Sequence, residues 1–413
     1  MLTYEEALKK IVDTVETGPV EERPLTHILD HVSASAIKAT FDLPRFDNSA
    51  MDGYGILSTD TDNASESEPR ELALVGTIEA GARELPSIGP GKAVKIFTGA
   101  RVPPSVTGVV MREYCQEKNG SVLVMQNTAP GANIRRAGEE FKEGEEVLPP
   151  GIKVTPPVIG LLASFGHRKF PVYSMPKVSI IGTGNELVEP GQSLDEAQIY
   201  DSNTYALAAA IQALGMERPV RVHAGDTKEE IKNALEEALN YSDVIITTGG
   251  VSVGDRDLVK EVLESDLSVE TIFWRARVKP GKPVYFGKLK MDGKPRYIFG
   301  LPGNPVSALV TFHLFVKPAL AKFQGLVPET QSKTKAFVQS NRKKKPGRLD
   351  FVRGILNHRD DGSLAVSPTA GQDSHMLSGL AKADCLIEFA QDDAEINAGD
   401  LVNVQFLNWH ELN

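Results

Sequence analysis

Cysteine is nearly absent: Cys115 and Cys385 are the only two in 413 residues. They lie far apart with no CxxC or Cys/His cluster, which excludes a disulfide framework and a zinc site and fits a reducing compartment. Basic excess is missing too. A formal net charge of -10 argues against a nucleic-acid or anionic-membrane partner, since such binders need a basic balance or a large basic face. No run approaches the ~18 uninterrupted apolar residues of a membrane span. The charged, helix-patterned start MLTYEEALKKIVDTVE lacks the apolar segment of a secretory signal, and a cytoplasmic protein is expected. Neither a GxGxxG dinucleotide fingerprint nor a P-loop is present, so a common nucleotide site is not indicated.

What is there is ordinary globular material: 41% hydrophobic and 24% charged residues, with length for about two to four domains. Leu2, Ala7, Leu8, Ile11, Val12 and Val15 form a helical apolar stripe, with Thr3 as N-cap and Glu6 completing a capping box. From about residue 41 to 135, short β-branched runs such as LALVGTI, AVKIFTG and SVLVM predict a strand-rich domain. Within it TDTDNASESEPRE, residues 59–71, reads as a solvated loop. TPPVIGLLASFG predicts a helix with a proline start, ended by Gly166. From residue 173 the strands VSIIGTG, PVRVHAG, DVIITTGG and YIFGLPGN alternate with helical stretches, which predicts a mostly parallel sheet covered by helices. Residues 330–413 return to short strands, a small closing β domain.

Three glycine-rich loops directly follow strand candidates. They are GTGNE with Gly182, Thr183 and Gly184; TTGGVSVGDRD with Gly249, Gly250, Ser252 and Gly254; and GLPGNPVS with Pro302, Gly303, Asn304 and Pro305. Loops at the carboxyl ends of parallel strands form the ligand crevice, and glycine lets backbone N–H groups approach an anion such as phosphate. One such loop ordinarily serves only a tight turn; three in one domain favour a site. Glu186, Asp226, Asp255 and Asp257 accompany these loops. Carboxylates beside phosphates suit magnesium, which takes oxygen ligands and bridges to substrate, although each acid alone also suits a helix N-cap.

The stretch WRARVKPGK concentrates four cations, Arg275, Arg277, Lys279 and Lys282, in nine residues. Its Pro-Gly turn can aim Lys279 and Lys282 at one small tetrahedral oxyanion; the plainer alternative is a hairpin edge guarded by charge. A second basic run, RKKKPGRLDFVRG at residues 342–354, offers Arg348 and Arg353. DNSAMDGYG packs Asp47, Asn48, Ser49 and Asp52 into a turn-rich segment.

With these residues in hand, the chain resembles the molybdopterin molybdenumtransferases, the family of bacterial MoeA and of the E domains of plant Cnx and gephyrin. The matching text is FDNSAMDGYG, FTGARVP, NIRRAGEE, GTGNEL, YDSNTYAL, TTGGVSVGDRD, KPGKPVYFGK, GLPGNPVSALVTF and GRLDFVRG, spanning residues 46–354. The resemblance implies a multidomain α/β plus β fold. Its parts would be a discontinuous helical linker domain (1–44 and 136–172), an inserted β domain (45–135), a parallel-sheet α/β molybdopterin-binding-type domain (173–328) and a small C-terminal β domain (329–413). It also implies insertion of molybdate into adenylylated molybdopterin, with magnesium-dependent release of AMP. By the same resemblance Lys279, Lys282, Ser307, Arg353 and Ser374 match positions associated with molybdate, and Glu186, Asp226 and Asp257 match acids needed for activity, candidates for Mg2+. Asp52 and Thr98 match functional positions on the inserted domain, which in the family's homodimer reaches the partner subunit, so the active site is expected to be shared between subunits. Docking with the molybdopterin adenylyltransferase is a further expectation. Some relatives carry lysine where this chain has Arg275, which keeps the cation with another geometry.

Two other readings compete. The adenylyltransferase that makes the intermediate shares the α/β fold, and ATP-dependent adenylylation of molybdopterin would reveal it. A scaffold of the gephyrin kind would bind receptor-type peptides tightly; no second catalytic domain or long linker in this sequence supports it.

Overall fold

The computed structural model describes residues 1–250, 258–326 and 333–409. These form two compact units. One comprises Met1–Ser35, Gly151–Ile159 and Arg168–Asn413; the other Ala36–Pro150 and Gly160–His167.

In the larger unit the first helix, Tyr4–Thr14, opens with the expected capping box. Glu6 N–H donates to Thr3 Oγ1 at 3.2 Å and Thr3 N–H to Glu6 Oε2 at 2.8 Å, satisfying two donors a helix start leaves orphaned. The central sheet runs in the order Val220–Ala224, Val178–Thr183, Val244–Thr248, Lys294–Leu301, Pro283–Met291, Glu270–Arg275. The first four strands are parallel. Alternate residues along them enter two different cores. Ile180, Ile246 and Phe299 pack with helices Asn203–Ala213 and Pro305–Phe323, whereas Ile181, Ile245 and Ile298 pack with helix Lys228–Tyr241. Burial on both faces is what makes these strands read as continuous apolar runs.

The last two strands are antiparallel, a departure from an all-parallel sheet. Met291 pairs with Lys294, leaving the two-residue turn Asp292-Gly293 with φ of 51° and 76°. Two positive φ values mark the turn whose twist matches an antiparallel hairpin. Among the described helices, Pro305–Phe323 is the one long and apolar enough to cross a membrane by length and composition, and 94% of that stretch is buried in the protein's own core.

The five strands Leu349–His358, Leu364–Pro368, Lys333–Val338, Leu401–Phe406 and Cys385–Phe389 close into a barrel, because the first and last also pair. Val338, Val352, Val366, Ile387 and Val404 fill it, and closure removes the exposed edges of an open sheet. Cys385 lies buried there, its thiol pushed up to about 12 by burial, and both cysteines are free.

The smaller unit holds a six-stranded sheet ordered Gly108–Met111, Gly53–Ile56, Lys92–Ile96, Arg70–Ile78, Ser121–Val124, Cys115–Lys118. Residues 59–71 are only in part the solvated loop expected from composition: 62, 63 and 66–71 are exposed, while other positions are built into the fold. Thr61 is fully buried, its hydroxyl donates to Ser58 O at 2.8 Å, and the Arg70 strand begins inside the segment. Polar composition misled at Thr61 because its hydroxyl is satisfied by the chain's own backbone.

Candidate active site

The glycine loops follow adjacent strands of the parallel sheet, at the carboxyl ends where such sheets bind ligands. Gly249 and Gly250 have consecutive positive φ values of 88° and 66°, and a Cβ on Gly249 would come 2.7 Å from the Thr183 carbonyl oxygen. Only glycine lets this turn pass so close to the neighbouring strand end. Ser252, Gly254, Asp255 and Asp257 lie outside the described residues.

Asn203 ties two loops together. Its Nδ2 donates to Thr248 Oγ1 at 2.9 Å and to the Gly303 carbonyl at 2.7 Å. Its Oδ1 is buried without a partner. The buried Asp201 accepts from the Thr204 N–H at 3.0 Å and from the Thr204 hydroxyl, fixing the start of the Asn203 helix. Asn203 is not among the residues singled out from the sequence. Its signal lay in the quoted YDSNTYAL motif, yet bridging loops so distant in sequence has no local signature. Glu186 and Asp226 flank the first loop, where the Asn185 N–H donates to Asp226 Oδ2 at 3.0 Å. Among the described residues no group of three acid, histidine or cysteine side chains could hold a metal alone.

The KPGKP cations stand at a second feature of the same unit. Strand Val278–Lys279 runs parallel to the barrel strand Leu349–His358, placing Lys279 opposite Asp350. Between them opens a pocket of about 370 Å³, lined by all five residues Lys279, Lys282, Ser307, Arg353 and Ser374. Arg348 lines it as well. Ser307 sits in the first turn of the Pro305–Phe323 helix, whose Val306 N–H donates to the Ser374 carbonyl at 3.1 Å. A helix amino end adds positive potential to that of the lysines.

Arg353 is only 1% exposed, and its Nη2 donates to Gly371 O at 2.8 Å and Asp373 O at 3.4 Å. It therefore shapes the loop that carries Ser374 as well as facing the pocket. Burial pulls its guanidinium below the ordinary value, and Arg342 beside it adds to the effect. Arg275 stacks over the Trp274 ring at 4.1 Å, and neither it nor Arg277 lines the pocket. The four-cation cluster thus divides, with only its two lysines lining the pocket. A larger cleft of about 590 Å³ beside Lys177, Asp243 and Arg296, at the amino ends of the strands, holds none of the predicted residues.

Asp52 and Thr98 belong to the smaller unit. Thr98 N–H and Oγ1 both donate to Asp52 Oδ1, at 2.7 and 2.8 Å. These bonds, the backbone one first, hold the Asp52 carboxyl below its ordinary value. Asp47 accepts from Arg136 Nη1 at 2.6 Å and Ala137 N–H at 2.8 Å, so DNSAMDGYG is bound to NIRRAGEE as structure.

The family description "MoeA N-terminal region (domain I and II)" matches residues 2–166, "Probable molybdopterin binding domain" residues 179–322 and "MoeA C-terminal region (domain IV)" residues 335–407. A Haemophilus influenzae protein named molybdopterin molybdenumtransferase is 36% identical, with 99% of each chain covered. Molybdopterin molybdenumtransferase 2 of Mycobacterium tuberculosis is 37% identical over 92% of this chain and 93% of its own. The crystal structure of the molybdopterin biosynthesis moeA protein from Pyrococcus horikoshii superposes with a TM-score of 0.78 at 31% identity, covering 98% of this chain and 100% of that one. By full-length similarity in sequence and fold, the chain belongs to the MoeA family of molybdopterin molybdenumtransferases.

Proposed function

We propose that this chain makes molybdenum cofactor by inserting molybdate into adenylylated molybdopterin and releasing AMP. The observation that carries the reading is the convergence of Lys279, Lys282, Ser307, Arg353 and Ser374 on one basic pocket. The ammonium groups and hydroxyls would hold the oxygens of a tetrahedral dianion by charge-assisted hydrogen bonds. GLPGNPVS links this pocket to the glycine loops, since Gly303 is bound by Asn203 while Ser307 lines the pocket. Phosphates held at the loops would thereby bring the dithiolene sulfurs toward the anion, and positioning of this kind supplies much of a rate advantage.

Glu186 and Asp226 suit Mg2+ in its usual manner, one or two carboxylates completed by substrate phosphate oxygens, and Asp257 would join them. When bound, the cation would neutralise charge on the pyrophosphate being cleaved. Asn203 would hold the second and third loops at their working separation. Asn203→Ala, which loses two hydrogen bonds, is expected to lower AMP release by roughly tenfold with the chain still folded, as checked by AMP assay beside thermal unfolding. The four-domain division, the homodimer with Asp52 and Thr98 reaching the partner's site, docking with the adenylyltransferase and a cytoplasmic location are parts of the same proposal.

The test is chromatographic assay of AMP from adenylylated molybdopterin with magnesium, with and without molybdate and with chelator. Release requiring both molybdate and divalent cation supports the proposal. Release indifferent to molybdate, or ATP-dependent adenylylation of molybdopterin, overturns it.

A further inference from the structure

The oxyanion pocket contains two acids that the binding of an anion does not call for, one of them buried. Lys279, Lys282, Arg342, Arg348 and Arg353 supply its positive charge, but Asp350 and Asp373 line it too. Asp350 is 8% exposed. Its carboxylate lies 3.3 Å from Lys279 Nζ and 3.9 Å from Lys344 Nζ. The placement is built into the backbone: Lys279 and Asp350 are register partners, and the Leu349 N–H donates to the Arg277 carbonyl at 2.9 Å. The Lys344 side chain is 4% exposed, donates to the Arg348 carbonyl and stands over the Phe389 ring.

A carboxylate there has two consequences. With no anion present it holds the Lys279 ammonium, otherwise a mobile point charge on a flexible stem, in one place over the pocket. With an anion present it repels it. A substrate held too tightly in its ground state is not passed on faster, because only interactions stronger in the transition state raise the rate of the step.

We propose that Asp350 is a positioning residue that orients Lys279 and, by opposing the bound oxyanion, limits ground-state affinity so that molybdate is handed to the dithiolene. The inference rests on the reading of this pocket as the molybdate site.

The experiment combines calorimetric titration with molybdate and steady-state AMP release for wild type, Lys279→Ala, Asp350→Asn and Asp350→Glu. Asp350→Asn should bind molybdate about tenfold more tightly, the scale expected for removing a like charge several Å away near a surface. KM for molybdate and kcat should both fall, and Asp350→Glu should restore the wild-type balance. A merely structural role predicts weaker or unchanged binding. Because Asp350→Asn also strips Lys344 of its acid, Lys344→Met/Asp350→Asn is compared with Lys344→Met, and the same tightening is expected between them. If wild type binds molybdate and Lys279→Ala loses it, yet neither Asp350→Asn comparison tightens, this inference alone is overturned. If wild type and Lys279→Ala are alike in failing to bind, the molybdate reading falls and this inference falls with it.

Discussion

Lys279→Ala is expected to raise the molybdate concentration for half-maximal AMP release by roughly 10- to 100-fold, because a charge-assisted hydrogen bond is worth ~1.5–3 kcal/mol. Folding should be unaffected. The Lys279 side chain is 54% exposed and its ion pair with Asp350 is 3.3 Å long, an arrangement that contributes little stability when one partner is so open to solvent. Lys279→Arg keeps the charge but replaces a compact ammonium with a planar fork, so it should recover only part of the loss. The turn that aims both lysines is braced independently of them. Gly281 has a φ of 101°, and a Cβ there would meet the Thr311 methyl at 2.2 Å, so the turn lies directly on the long core helix. Unchanged half-saturation in folded Lys279→Ala would remove the KPGKP cations from the site.

Gly249→Ala is the second large effect. The substitution forces a side chain onto a φ of 88° and places its Cβ 2.7 Å from the Thr183 carbonyl oxygen, a backbone atom that can move only with its strand. Left-handed strain and crowding together should cost about 2–4 kcal/mol, read as a lower urea midpoint. AMP release should fall by roughly 100-fold or more, since displacement of a phosphate loop by about 1 Å is enough for that. Gly160→Ala is the control: it lies in helix Pro156–Ser164 with open space around its Cβ, and alanine there should be neutral or stabilising by up to ~1 kcal/mol. Wild-type release in Gly249→Ala would show that the loop does not hold substrate.

Local signals carried far in this chain. The Thr3–Glu6 capping box joins residues three apart and formed as expected, because a cap needs only its own turn. Apolar runs ending in glycine located the parallel strands and their loops, since burial on both faces leaves a continuous apolar record. What escaped involves partners remote in sequence. Nothing near Asn203 announces that it will bond both Thr248 and Gly303, and nothing near Asp350 announces that its strand will lie beside Lys279. The pairing of Leu349–His358 with Cys385–Phe389 that closes the barrel is likewise a property of the assembled sheet. Arg275 is a separate case. A run of cations suggests one shared purpose, but Arg275 stacks on the neighbouring Trp274, a contact that cation–π attraction rewards whatever its neighbours do.

The central claim is that AMP release and metal insertion are one coupled event at this chain's pocket. Its most direct test is a single-turnover reaction of the full chain with adenylylated molybdopterin, magnesium and molybdate, counting AMP by chromatography and pterin-bound molybdenum by elemental analysis in the same samples. The account predicts one molybdenum inserted for each AMP released, with both lost together in Lys279→Ala. AMP released in full while the pterin remains free of metal would contradict it.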